Sequence, residues 1–248
     1  MLTSQRHEEI LHILQEKGAA SVSELTELLH ASESTVRRDL MALAKLGKLN
    51  KVHGGATLNA KDLILREDNI DDKLQKQMAE KRAIAAYAAG QIQSGDFVYL
   101  DAGTTTLLML EFLQVKGATF VTNGIVHARE LVKKGFKTYI LGGELKSTTE
   151  AVIGLAAAQN LQNYNFSKCF IGANGITVKQ GYTTPDTDEA YLKAAAIERS
   201  FVSYVVADSS KFGKVSTVSF APLDAAAILT DHLPDPVYSQ HTVVKEVD

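Results

Sequence analysis

This 248-residue chain has a single cysteine, no clustered histidines, no long apolar run and no large excess of charge. One cysteine excludes an intramolecular disulfide framework and suits a reducing cytosol. Cys169 lies in the apolar run Cys169-Phe170-Ile171 and reads as a small buried hydrophobe rather than a nucleophile. The seven histidines are scattered and form no H-x-x-x-H pair, so no metal site is expected. Neither a Walker loop nor a G-x-G-x-x-G turn occurs, which removes two common routes to nucleotide binding, and no cofactor is expected. No signal peptide and no segment long enough to span a bilayer is visible, so a cytoplasmic protein without membrane contact is expected. The net charge of −3 does not suit a general polyanion binder. There is no internal repeat and no low-complexity tract.

What is present points to two domains in an ordinary soluble composition, 45% hydrophobic and 22% charged. The most informative stretch is 32–55, SESTVRRDLMALAKLGKLNKVHGG. Val36, Leu40 and Leu43 fall at i, i+4 and i+7, one apolar stripe of a helix capped by Ser32. Ser34, Arg38 and Lys45 point away from that stripe, and Arg37 flanks them. Such a face can enter a major groove, where Arg binds guanine bidentately and Lys pairs with phosphate. Leu46-Gly47 ends the helix, Lys48–Val52 reads as a strand, and Gly54-Gly55 turns the chain. Upstream, Ser4–Lys17 is an amphipathic helix stopped by Gly18. Ser21-Val22-Ser23-Glu24 is a capping box that opens a second helix to about Leu29. This order is that of a winged helix-turn-helix, expected over residues 1–58. Those residues carry seven basic and seven acidic side chains, so net charge alone also fits a protein-docking module. From Arg37 to Lys51, however, five basic residues face one acid, Asp39, and local charge is what meets phosphates. His53, just before the wing glycines, is a further candidate contact.

Residues 59–72 lack a clear period and read as a linker, leaving 73–248 as the second domain. Lys73–Ile92 is expected to be helical. From Phe97 onward, short apolar runs alternate with helical stretches: strands at 97–100, 119–121, 138–141, 169–172, 203–207 and 226–229, and helices at 104–113, 125–134, 151–163 and 188–200. This alternation predicts an α/β domain with a parallel sheet covered on both faces. Ligands of such sheets bind beyond the carboxyl ends of the strands. There the chain places Asp101–Thr106, Thr122-Asn123-Gly124, Gly142–Lys146, Gly172–Gly175 and Asp208–Gly213, a set rich in hydroxyls, amides and glycine. In Asp101–Thr106, small residues, three threonines and a helix start suit a phosphate, although Thr capping of a buried helix explains them equally. Lys211 offers a positive charge. Asp186, Glu189 and Lys193 suit sugar hydroxyls or an exposed acidic first turn.

Together SESTVRRDL, LGKL and VHGGA, then DAGTTT, VTNG, GGELK, GANGI, GYTTPD and ADSSKFG, resemble the DeoR family of bacterial transcriptional repressors over the whole chain, in order. The resemblance implies a winged helix joined to a sensor domain similar in fold to ribose-5-phosphate isomerase, operator DNA as partner, and a phosphorylated sugar as effector. It implies that Thr104, Thr105 and Thr106 hold the phosphate with Lys211, and that Asn123, Gly143, Asn174, Asp186 and Glu189 line the sugar. Ser34, Thr35, Arg37 and Arg38 would meet DNA, with Lys51 and His53 in the wing. The runs around GGELKSTTEA, YNFSKCFIGANGI and GYTTPD look most like repressors of fructose operons, which implies fructose 1-phosphate as inducer. A homo-oligomer, dimer or tetramer, is expected because one winged helix reads too little DNA. The alternative is a sugar-phosphate isomerase carrying a DNA-binding domain. It is disfavoured because Asn174 and Gly175 stand where similar isomerases carry acids, and an amide cannot take a proton.

Overall fold

The computed structural model describes residues 2–57, 63–64 and 69–247. Of the expected linker, 59–62 and 65–68 lie outside the described residues, as does residue 58. The chain divides into two compact units, Met1–Leu63 with Thr177–Lys179, and Ile64–Ile176 with Gln180–Asp248.

The first unit runs α1 (Thr3–Lys17), β1 (Ala19–Ser21), α2 (Val22–Leu29), α3 (Glu33–Lys45), β2 (Asn50–Val52) and β3 (Gly55–Thr57). Gly18, at φ 80°, ends α1. The Ser21–Glu24 capping box forms: the Glu24 N–H donates to Ser21 Oγ at 3.1 Å, and the Ser21 N–H to Glu24 Oε2 at 2.8 Å. Ser32 Oγ accepts from the Thr35 N–H at 3.3 Å and caps α3. Ile10, Leu14, Leu25, Val36, Leu40 and Leu43 form the core between the helices. The wing is three-stranded, β1-β3-β2, and antiparallel. Its second strand starts at Asn50 rather than Lys48, because Gly47 turns at φ 70° and the Lys48 N–H is spent on Leu43 O. β1 carries no alternation and was not expected. It exists because Gly55 lets β3 approach, since a Cβ there would lie 2.3 Å from Ala20 O.

Asp39, the one acid in the basic stretch of α3, is buried and chelated by α1. Arg6 Nε and His7 Nε2 lie 2.5 and 3.1 Å from its carboxylate oxygens. Burial pushes its pKa up, but the hydrogen bonds from Arg6 and His7 outweigh this and hold it below the ordinary carboxylate value. A depressed folded pKa gives stability that is full above the unfolded value of about 3.9 and lost as pH falls through the folded one. Asp39→Asn is therefore expected to cost about 1.5–3 kcal/mol at pH 7. Urea unfolding of both proteins checks this; the gap should narrow as pH is lowered from 7 towards 3.

The second unit begins with β4 (Leu63–Ile64), whose first residue falls in the other unit, followed by α4 (Ile70–Gln75) and α5 (Met78–Gly90). The expected single helix 73–92 is thus two helices, broken at Gln77 with φ 51°. Asn69 caps the first by accepting from the Asp72 N–H at 2.8 Å. The break leaves Lys73 O to accept from Lys81 Nζ. Then follow β5 (Phe97–Leu100), α6 (Thr104–Phe112), β6 (Thr119–Thr122), α7 (Ile125–Lys133), β7 (Lys137–Ile140), β8 (Glu144–Lys146), β9 (Ala151–Ile153), α8 (Leu155–Leu161) and β10 (Phe166–Ile171). The remainder is β11 (Gly175–Thr177), β12 (Gly181–Thr184), α9 (Thr187–Glu198), β13 (Ser200–Val206), β14 (Val215–Ser216), β15 (Val218–Ala221), β16 (Ala227–Thr230) and β17 (Val244–Glu246).

Seven strands form one parallel sheet in the order β17-β16-β13-β10-β5-β6-β7. Val98, Leu100, Phe120 and Phe170 pack on α5 and α6, while Tyr99, Val121, Cys169 and Ile171 are buried on the alternate positions. The expected helix 151–163 begins instead as a strand. The Val152 N–H donates to Asn123 O at 2.7 Å, and Gly154, at φ 90°, turns the chain into α8. The hairpin β8–β9 and the small sheet β11-β12-β15 had no signature in the sequence. The chain leaves β5 towards β6 and β7, then returns to β10 on the other side and continues to β13. β5 and β10 therefore flank the switch point where a crevice opens at the strand ends.

Candidate functional site

A cleft opens at that switch point. Asp101, Thr104, Thr105, Thr106, Asn123, Asn174, Glu189 and Lys211 all line it. Gly143 and Asp186 are not among its lining residues. Gly143 is exposed and closely approaches β9, where a Cβ would lie 2.6 Å from Ile153 O. Asp186 caps α9, accepting from the N–H groups of Asp188 and Glu189, and pairs with Lys146 at 2.9 Å.

The lining residues divide by what their polar atoms already do. Thr106 is fully buried, and its hydroxyl donates to Asp101 O at 2.6 Å and accepts from the Gly103 N–H at 3.0 Å. It shapes the loop. Asn123 does the same, accepting from Tyr99 Oη at 3.1 Å and the Ala102 N–H at 3.0 Å while donating to Val152 O at 3.2 Å. Thr104 and Thr105 differ, because their hydroxyls make no hydrogen bond among the described residues. They stand at the first turn of α6, where backbone N–H groups lack intrahelical partners and the dipole favours an anion.

Lysines also line the cleft. Lys73, Lys81 and Lys211 line it, and Asp208 is the acid among them. Lys81 was not foreseen. Its residue is 4% exposed, and burial lowers its ammonium pKa, with Asp208 opposing and Lys211, Lys73 and Lys76 adding to the fall. The signal was legible: Lys81 falls on the buried stripe of α5 with Ile84, Ala85 and Ala88.

The acidic lining residues Asp101 and Glu189 are compensated. Asp101 Oδ2 accepts from Lys193 Nζ and from the Gly172 N–H at 3.1 Å, tying the ends of β5 and β10 together. Glu189 Oε1 meets Lys146 Nζ at 2.8 Å and the Thr149 hydroxyl at 3.3 Å. Asn174 Oδ1 accepts from the Thr184 hydroxyl at 3.2 Å, and its amide nitrogen makes no hydrogen bond among the described residues. The lining thus combines lysine ammonium groups and a helix first turn, which suit an anion, with amide and carboxylate groups that can hydrogen-bond hydroxyls.

In the first unit, Ser34, Arg37, Arg38, Lys45, Lys51 and His53 are all exposed, and Thr35 is half-buried. Arg37 is paired with Glu33 one turn back, both side chains more than half exposed. Arg38 has no ion pair among the described residues. With Asp39 turned inward to Arg6, the outward face of α3 is more basic than the sequence count suggests.

No group of three or more His, Cys, Asp or Glu side chains among the described residues is arranged to hold a metal, and no described helix is long and apolar enough to cross a membrane. Residues 6–62 match the model of the DeoR-like helix-turn-helix domain, and residues 76–232 that of the DeoR C terminal sensor domain. The chain is 43% identical to the "Uncharacterized HTH-type transcriptional regulator FruR" of Bacillus subtilis, covering 100% of this chain and 99% of that one. It is 35% identical to the "Lactose phosphotransferase system repressor" of Staphylococcus aureus, over 92% of each. Among solved structures it is similar to ribose 5-phosphate isomerase A from Methanocaldococcus jannaschii at 13% identity and a TM-score of 0.39, a match spanning 53% of each chain.

Proposed function

The chain belongs to the DeoR family of transcriptional regulators, and we propose that it represses a fructose-utilisation operon and leaves its operator when fructose 1-phosphate enters the cleft. One observation carries the effector class: Lys81 and Lys211 line the same cleft as Thr104 and Thr105 of the first turn of α6. A compact dianion neutralises these charges; an unphosphorylated sugar does not. The choice of fructose rests on the run of motifs that resemble fructose-operon repressors. The protein acts as a homo-oligomer, dimer or tetramer, whose paired winged helices read paired half-sites.

The isomerase reading requires a base poised to move a proton between adjacent carbons. Glu189 is instead held by Lys146 and Thr149, and Asn174-Gly175 supplies no acid. We therefore read the cleft as a sensor without turnover.

To release DNA, the effector must bind the DNA-incompetent arrangement better than the competent one. At a hundredfold excess over its Kd, fructose 1-phosphate is expected to stabilise the sensor unit by about 2.7 kcal/mol, a rise in Tm of about 5–10 °C. Differential scanning fluorimetry and an operator gel shift measure both properties. Fructose should do far less, and the same preparation should not isomerise sugar phosphates. A shift of equal size with fructose, or turnover lost in Glu189→Gln, overturns the reading.

A further inference from the structure

Behind the anion loop stands a histidine that no role described so far requires. We propose that His127 is a positioning residue for effector binding, holding the first turn of α6 open to the phosphate from the far side of the loop. The proposal rests on the reading that the cleft takes a phosphorylated sugar.

His127 is the third residue of α7 and is 1% exposed. Its Nε2 lies 3.2 Å from Gly103 O and 3.2 Å from Thr106 Oγ1. These two atoms decide the shape of the loop. Thr106 Oγ1 closes the cap on the Gly103 N–H, and Gly103 O accepts the first helical bond, from the Leu107 N–H at 2.9 Å. The neighbouring Asn123 pins the Ala102 N–H. Asn123 from the turn between β6 and α7 and His127 from the first turn of α7 thus brace the loop after β5, and neither belongs to that loop.

Gly124 shows that the imidazole is built in. Its φ of −92° does not demand glycine. A Cβ there would lie 2.4 Å from His127 Nδ1 and 3.2 Å from Ala102 Cβ. The glycine keeps the space that the ring fills. Burial pushes the His127 pKa down to about 4, so the ring is neutral near pH 7 and carries one N–H. With that proton on Nε2, the ring donates to Gly103 O. An apolar side chain of similar size would fill the space but remove the imidazole N–H from Gly103 O and the ring nitrogen from Thr106 Oγ1.

The test separates packing from positioning. His127→Leu keeps bulk and removes the donor; His127→Gln returns an N–H at similar reach. Two readouts are taken on the full chain: amide hydrogen exchange across 102–107 without ligand, and affinity for fructose 1-phosphate and for inorganic phosphate. His127→Leu should speed exchange at Gly103–Thr106, leave the sheet protected, weaken sugar-phosphate binding roughly tenfold, and leave operator affinity unchanged. His127→Gln should recover most of both properties. Gly124→Ala, with the histidine intact but displaced, should reproduce the leucine defect and serves if His127→Leu fails to fold. Failure of the wild type to bind fructose 1-phosphate sinks the effector assignment, while exchange and phosphate affinity still judge His127. Wild-type exchange in His127→Leu, or a glutamine variant as impaired as the leucine variant, overturns the positioning role.

Discussion

Replacing Lys81 by Met is expected to abolish the response to sugar phosphate while leaving the unliganded protein as stable as before, or more so. The two halves of this outcome have one cause. Lys81 holds its ammonium in a nearly closed position, 4% exposed, with its pKa lowered by burial. A lysine whose folded pKa lies below its unfolded value costs stability at neutral pH. The cost lessens as pH rises through the folded value, because the unfolded chain then binds more protons. Met keeps the stem and removes the charge, so this cost disappears. The bound dianion, in contrast, loses a desolvated partner, worth about 2–4 kcal/mol, or a thirtyfold to thousandfold rise in Kd. Calorimetric titration with fructose 1-phosphate and a melting curve without it measure the two sides. A variant that loses both stability and binding would mark Lys81 as structural. One that keeps both would place the anion elsewhere. Lys211→Met should weaken binding less, because its side chain is more exposed than that of Lys81.

Arg38→Ala is expected to lower specific operator affinity by about 1–3 kcal/mol, fivefold to more than a hundredfold, if its guanidinium reads a base edge. The loss should concentrate on the operator and be small on unrelated DNA. Arg37→Ala should cost less, because Arg37 begins with a partner: binding DNA exchanges its exposed pair with Glu33 for a phosphate, and such pairs are worth under about 1 kcal/mol. Lys51→Ala in the wing should weaken all sequences alike and reduce the slope of log K against log salt by about one contact. Fluorescence anisotropy at several salt concentrations resolves these patterns. Unchanged operator affinity in a folded Arg37→Ala/Arg38→Ala protein would remove α3 as the recognition helix.

The helices of the first unit were legible because each carries its own start and stop. Ser21 with Glu24, Ser32 and Gly18 act within one turn of chain, and Val36, Leu40 and Leu43 repeat at the helical period. The central strands of the second unit were legible as short apolar runs, because a parallel sheet buried on both faces needs side chains of one kind on both. β1 and β9 were not legible. Ala19-Ala20-Ser21 and Ala151-Val152-Ile153 have no local preference that decides strand against helix. Each is extended because a partner from elsewhere offers hydrogen bonds, Gly55–Thr57 for the first, Asn123 O and β8 for the second.

The same division holds in the cleft. Placing Asp101, Thr104, Thr105, Asn174 and Lys211 near one another required only the rule that ligands meet strand ends. Which of the neighbouring groups remain available for a ligand is decided by the tertiary structure. Thr106 and Asn123 are spent on the loop, Gly143 abuts β9, and Asp186 is taken by Lys146 and the start of α9. His127 reaches the site from a helix whose local sequence says only that it is a helix, whereas Lys81 carries a legible mark, a charge on the apolar stripe of α5. By itself the sequence determined the local elements, the order of the two domains and the residue types at the strand ends, because these depend on near neighbours in the chain. Only the tertiary structure decided which hydroxyls and charges face the cleft, because a hydrogen bond or a desolvated charge depends on groups tens of residues away.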